Sequence, residues 1–154
     1  MQGNEVDLSG IRPATGLFCR RNYSDASGVT RLFLAVSTNG SSQTSRTVNA
    51  TLENNAWHQV AVVYEDVGGT ADFYADGVAT GTQQSGFPIS VFNGTAKWVI
   101  GGTDEPGQYW DGLIDDCRFW KRTLSAAEIL DWYNNPCTFS DGASLSAKYF
   151  FETI

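Results

Sequence analysis

The pattern of apolar and polar positions is most telling between Trp57 and Gly77. Trp57-His58-Gln59-Val60-Ala61-Val62-Val63-Tyr64 is followed by a break at Val67-Gly68-Gly69 and then by Asp72-Phe73-Tyr74-Ala75-Asp76-Gly77. Two β-rich runs separated by Gly-Gly and closed by Asp-Gly predict a hairpin, because glycine and aspartate accept the positive φ of tight turns. In the first run Val60, Val62 and Tyr64 lie opposite Ala61 and Val63, so both faces are apolar, as in a central strand covered on each side. In the second run Ala71, Phe73 and Ala75 form a drier face, and Asp72, Tyr74 and Asp76 a wetter one.

The same reading extends along the chain. The polar stretch from Met1 to Pro13 leaves open a short edge strand around Val6, Leu8 and Ile11. Gly16 to Arg20 predicts a strand, Asn22 to Gly28 a loop, and Val29 to Ser37 a second strand with Thr30, Leu32, Leu34 and Val36 on one face. Asn39-Gly40 predicts a hairpin returning through Arg46 to Ala50, with the tract from Ser37 to Thr51 mostly exposed. Further strands are expected at Phe87 to Phe92, Ala96 to Ile100, Tyr109 to Trp120 and Leu145 to Phe151. One helix is written plainly: Ser125 and Glu128 form a capping box, Ile129, Leu130, Trp132 and Tyr133 supply an apolar face, and Asn134-Asn135-Pro136 ends it.

With 154 residues, 13% aromatic and 18% charged side chains and 16 glycines, the chain suits one β-rich domain of short strands and many turns. A formal charge of -7 argues against nucleic acid, which requires a clustered basic face, and favours cations, neutral sugars or basic surfaces as partners. The apolar runs fall far short of the roughly 18 residues of a membrane helix, and Met1 to Glu5 lacks the layout of a signal peptide.

Cys19, Cys117 and Cys137 are odd in number, so at least one is free or pairs between chains. A Cys117–Cys137 bridge and buried reduced thiols are both open. His58 is the single histidine and no Cys-x-x-Cys occurs, which removes the usual zinc ligand sets. Asp76-Gly77 reads as a turn device, and His58 as a packed residue with no marked nucleophile beside it. Asp115 and Asp116, adjacent on a strand, point to opposite faces and are expected to hold structure rather than share a substrate. Trp57, Trp98, Trp120 and Trp132 occupy apolar-face positions and are expected in the core, whereas Trp110 reads equally as core or site.

Five pieces in order resemble a family: Trp57 to Tyr64, Phe73 to Gly77, Ile100-Gly101-Gly102, Trp110 to Asp116, and Leu124 to Ile129. Together they are similar to laminin G and pentraxin-like domains of the concanavalin A-like lectin/glucanase group, over Gly16 to Phe151. The resemblance implies an all-β fold, an antiparallel jelly-roll β-sandwich with one short C-terminal helix, and a noncatalytic module binding carbohydrate or protein at surfaces. Members usually carry strands ahead of the position of Leu17, where this chain has only Met1 to Gly16. A trimmed sandwich, or an edge covered by a neighbouring subunit, follows as the expectation.

By the same resemblance, calcium would be held by Asn22 and Asp25 in one loop and Asp104 and Glu105 in another, oxygen donors of the kind the ion takes. The related glucanases need a Glu-x-Asp-x-x-Glu run, which this chain lacks, so hydrolysis is not expected. For carbohydrate, Tyr109 and Trp110 flanked by Gln108 and Asp111, with Tyr23 opposite, combine aromatic faces with amide and carboxylate partners. The expected function is a lectin-like module taking a glycan or surface protein, extracellular or on a particle, as a homo-oligomer or part of a larger assembly. The competing expectation is an assembly protein, such as a virion decoration or fibre component.

Overall fold

A computed structural model describes residues 5–7, 15–21, 29–52, 56–92, 100–101, 112–140, 142 and 144–149. Four strands, β1 (Glu5–Asp7), β2 (Thr15–Arg21), β3 (Val29–Val36) and β4 (Thr44–Thr51), form one antiparallel sheet in sequence order. A second antiparallel sheet holds β5 (Val60–Glu65), β6 (Thr70–Ala75) and β7 (Val78–Ser85), and β8 (Cys117–Trp120) pairs with β9 (Leu145–Tyr149). The helix α1 (Ala126–Asn134) lies between β8 and β9 in the chain.

The two larger sheets face each other, which makes the fold an all-β sandwich. Leu32, Leu34 and Val36 of β3 and Val48 and Ala50 of β4 pack with Ala71 and Phe73 of β6 and with Phe87. Val60, Val62 and Tyr64 of β5 line the same core, while Ala61 and Val63, on the opposite face, pack with Tyr74, Leu124, Ile129 and Trp120. This explains the doubly apolar pattern of β5: one face meets the opposing sheet and the other meets the helix layer. The strand order β5-β6-β7 nevertheless puts β6, not β5, between two described neighbours.

The Asn39-Gly40 turn forms as predicted, with the Asn39 side-chain oxygen accepting from the amides of Ser41 and Ser42, each at 2.9 Å. The return strand is less exposed than the polar tip suggests, since Val48 and Ala50 point inward from β4 and are buried. Strand β7 was not expected from its sequence. Its residues are mostly exposed, and what makes it a strand is backbone pairing to β6 together with Thr80, whose hydroxyl donates to the Asn49 carbonyl at 3.0 Å.

The apolar run Phe87 to Phe92, read as a strand, is irregular chain instead. Pro88 removes a donor, and the remaining groups bond elsewhere. The Phe87 amide donates to the Gly69 carbonyl at 3.0 Å, the Tyr64 hydroxyl donates to the Pro88 carbonyl, and the Phe92 amide donates to the Ser37 carbonyl at 2.8 Å. Gly69 permits this seat: its φ is +57°, and a Cβ there would stand 2.4 Å from the Phe87 carbonyl oxygen. Of the strand expected over Tyr109 to Trp120, the described part is extended only at Cys117–Trp120, and Ala96 to Val99 lie outside the described residues.

The helix is capped as read. The Ser125 hydroxyl accepts from the Glu128 amide at 3.3 Å, and the Glu128 carboxylate accepts from the Ser125 amide at 2.8 Å. Ile129 and Trp132 are its buried residues. Arg118, its side chain 0% exposed, is clamped at the far end: Nε donates to Asp116 Oδ1 at 2.6 Å, and Nη2 donates to Asp116 Oδ2 at 2.8 Å and to the Pro136 carbonyl at 2.7 Å. The Trp132 indole nitrogen donates to the same carboxylate at 3.0 Å. Cys117 and Cys137 are both free.

Candidate functional site

The residues singled out from sequence for calcium, Asn22, Asp25, Asp104 and Glu105, lie outside the described residues. So do those singled out for carbohydrate: Tyr23, Gln108, Tyr109, Trp110 and Asp111. Among the described residues no group of three or more His, Cys, Asp and Glu side chains is placed to hold a metal ion.

Two acidic sites that could have carried chemistry are tied into the fold. At the β6–β7 turn Asp76 sits at φ 52° and Gly77 at 77°, a pair of left-handed residues of the kind that closes a two-residue hairpin. The Asp76 carboxylate lies 2.8 Å from His58 Nδ1 and accepts from the Gln59 amide at 3.0 Å. It therefore anchors the chain entering β5 to the turn leaving β6. Asp115 accepts from the Asp116 amide at 2.7 Å, and Asp116 clamps Arg118, so this pair is also structural. Burial, reinforced by Asp116 and Asp115, pushes the Cys117 thiol up to about 11, which keeps it protonated and a poor nucleophile at neutral pH.

Trp57 departs from expectation. It precedes β5 and is 65% exposed, because β5 begins only at Val60 and the indole has left the sheet. Around the Asp76-Gly77 turn stand other exposed apolar side chains: Val78, and on the helix Leu130 and Tyr133, both of which lie against Gly77.

At the opposite end of the β5–β6 hairpin the outer sheet face is open and polar. Cross-strand partners share a face, so Glu65 opposite Thr70, and Val63 opposite Asp72, place two carboxylates diagonally on one surface. The Gln83 side-chain amide, from β7, donates to Asp72 Oδ2 at 2.9 Å. Thr123 and Leu124, at the approach to the helix, close one side of a shallow cavity of about 180 Å³ whose floor includes Val63. The helix layer thus covers the half of this face that carries Ala61, Val63 and Tyr74 and leaves the Glu65 half as a notch. The polar positions of β6 are visible in its alternation; Gln83 is not, because β7 lacks the apolar pattern of a strand.

A laminin G-type model, described as the concanavalin A-like lectin/glucanases superfamily, matches residues 14–130. No curated protein matches the chain. Among solved structures, the native heptameric SAP-like pentraxin from Limulus polyphemus is 20% identical with a TM-score of 0.61, and the match covers 86% of this chain and 63% of that one. At that identity the likeness is one of fold. An S-layer domain-containing protein (residues 221-444) from Clostridium thermocellum ATCC 27405 is 24% identical with a TM-score of 0.42, over 75% of this chain and 56% of that one. The chain spans less than two thirds of the length of either.

Proposed function

We propose that this chain, which belongs to the concanavalin A-like lectin/glucanases superfamily, is a noncatalytic module that binds carbohydrate or a surface partner, outside the cell or on a particle surface. The observation that supports binding over chemistry is the use made of its acidic groups: Asp76, Asp115 and Asp116 hold backbone amides, His58 and Arg118 in place. The absence of a Glu-x-Asp-x-x-Glu run from the sequence agrees with this. Where calcium assists, Asn22, Asp25, Asp104 and Glu105 are the residues proposed to supply its oxygen ligands, and Tyr23, Gln108, Tyr109, Trp110 and Asp111 are proposed to meet the sugar.

Glycan-array binding measured with and without a chelator tests the reading. Saturable binding to a defined glycan class supports it, and loss of that binding in chelator assigns calcium a part. No binding in either condition, together with a stable oligomer in light scattering, would overturn it in favour of an assembly protein such as a virion decoration or fibre component. That second reading draws on the exposed Trp57, Val78, Leu130 and Tyr133, apolar side chains of the kind that subunit interfaces cover.

A further inference from the structure

We infer that the notch at the Glu65 end of the β5–β6–β7 sheet is a saccharide subsite, taking the hydroxyl-bearing edge of one neutral sugar ring. The inference deepens the carbohydrate reading above and rests on it. Its residues are other than those proposed above for calcium and for sugar.

Three observations carry it. The first is chemical balance. Glu65 and Asp72 offer carboxylate oxygens that accept; the Thr70 hydroxyl, whose O–H donates to Glu65 Oε2 at 3.5 Å, retains accepting lone pairs, and Thr123 offers a hydroxyl that both accepts and donates. Gln83, its Nε2 already donating once to Asp72 Oδ2, retains a second N–H and its carbonyl oxygen. A hydroxyl pair on a sugar donates to carboxylates and accepts from an amide or hydroxyl, so it matches both halves of this lining. Val63 and Leu124 add apolar surface for the C–H face of a ring.

The second observation is size. A cavity of about 180 Å³ lies below the roughly 300–1,000 Å³ of pockets for drug-sized ligands, which restricts it to a single ring or ring edge. The third is rigidity. Glu65, Thr70 and Asp72 stand on β5 and β6, which pair in continuous register and carry core residues on their other face, while Gln83 stands where the β6–β7 register shifts and is tied to Asp72 by its side-chain bond. A calcium ion is the weaker match: it takes six to eight oxygens, and the two carboxylates here fall short of a metal-holding group.

The test is amide-resolved NMR titration of the whole chain with methyl glycosides of glucose, galactose, mannose and N-acetylglucosamine, in chelator. Expected are saturable shifts confined to the amides around Glu65, Thr70, Asp72, Gln83 and Thr123 for at least one glycoside. Glu65→Ala and Gln83→Ala should each weaken that binding by about tenfold, the equivalent of one or two hydrogen bonds, with unchanged far-UV circular dichroism. A Thr123→Phe variant, which fills the notch, should abolish it. Shifts elsewhere that these variants leave intact would overturn the notch while preserving the carbohydrate reading. Absence of shifts with every glycoside, alongside a negative glycan array, would overturn both. Notch shifts produced by calcium chloride in a parallel titration without chelator, and by no glycoside, would show a cation site and overturn the assignment to sugar.

Discussion

Asp76 holds a left-handed backbone that few residues other than glycine tolerate, and its carboxylate answers both His58 and the Gln59 amide. Replacing it with alanine removes both partners and keeps the unfavourable φ. Asp76→Ala is expected to cost about 1–3 kcal/mol in urea unfolding, and Asp76→Gly less, because glycine relieves the backbone. Equal losses would mean that the left-handed backbone at this position costs nothing. The turn itself was legible in the Asp-Gly dipeptide. Its partnership with His58, 18 positions away in the chain, was not, because register between strands decides which side chains meet at a hairpin end. Trp57 shows the converse: an aromatic next to an apolar run reads as core, yet the strand starts three residues later and leaves the ring in solvent.

The helix α1 was the most legible element, because capping is local chemistry among residues three apart in sequence. Its cap extends further than the box. The Arg122 guanidinium donates to both Glu128 carboxylate oxygens, at 2.5 and 3.1 Å, and together with the Ser125 amide and hydroxyl it lowers the Glu128 carboxyl to about 2. A carboxyl depressed below its unfolded value, ordinarily about 4.3, contributes stability that is complete above that value and is lost as pH falls through about 2. The group is exposed, so salt screens the effect. The difference in melting temperature between the native chain and Glu128→Gln is expected to be largest at neutral pH and low salt, and to close as pH drops from about 4 to about 2. A gap that stays constant over that range would rule out an ionic role. Strand β7 marks the limit at this scale: its polar, glycine-containing sequence carries no periodic signal, and its conformation comes from the backbone groups of β6 beside it.

Over the whole molecule, the sandwich rests on side chains shared by the two large sheets. Phe73, 1% exposed on the middle strand of its sheet, meets the β3 and β4 side chains across the interface. Phe73→Ala should cost about 3–5 kcal/mol in denaturant unfolding, a large part of the roughly 5–15 kcal/mol that holds a domain together. A loss under about 1 kcal/mol would show that the two sheets do not depend on that contact. The all-β class was readable because the inward residues of β3, β5 and β6 keep a period of two. The candidate site was less so. The calcium residues follow from likeness to a family and the sugar residues from their aromatic, amide and carboxylate chemistry, while the notch depends on three strands coming side by side, one of which has no pattern of its own.

The irregular stretch from Gly86 to Phe92 has a mechanical meaning. It grips the β5–β6 hairpin through Gly69 and Tyr64, and the end of β3 through Ser37. One short segment is therefore bonded to both layers of the sandwich, as a stitch passes through two plies of cloth. A pull that slides one sheet along the other loads these bonds together with the core packing, whereas a pull that peels β7 from its edge breaks ladder bonds in succession and leaves the stitch in place. The molecule should resist shear between its layers more strongly than peeling at its rim.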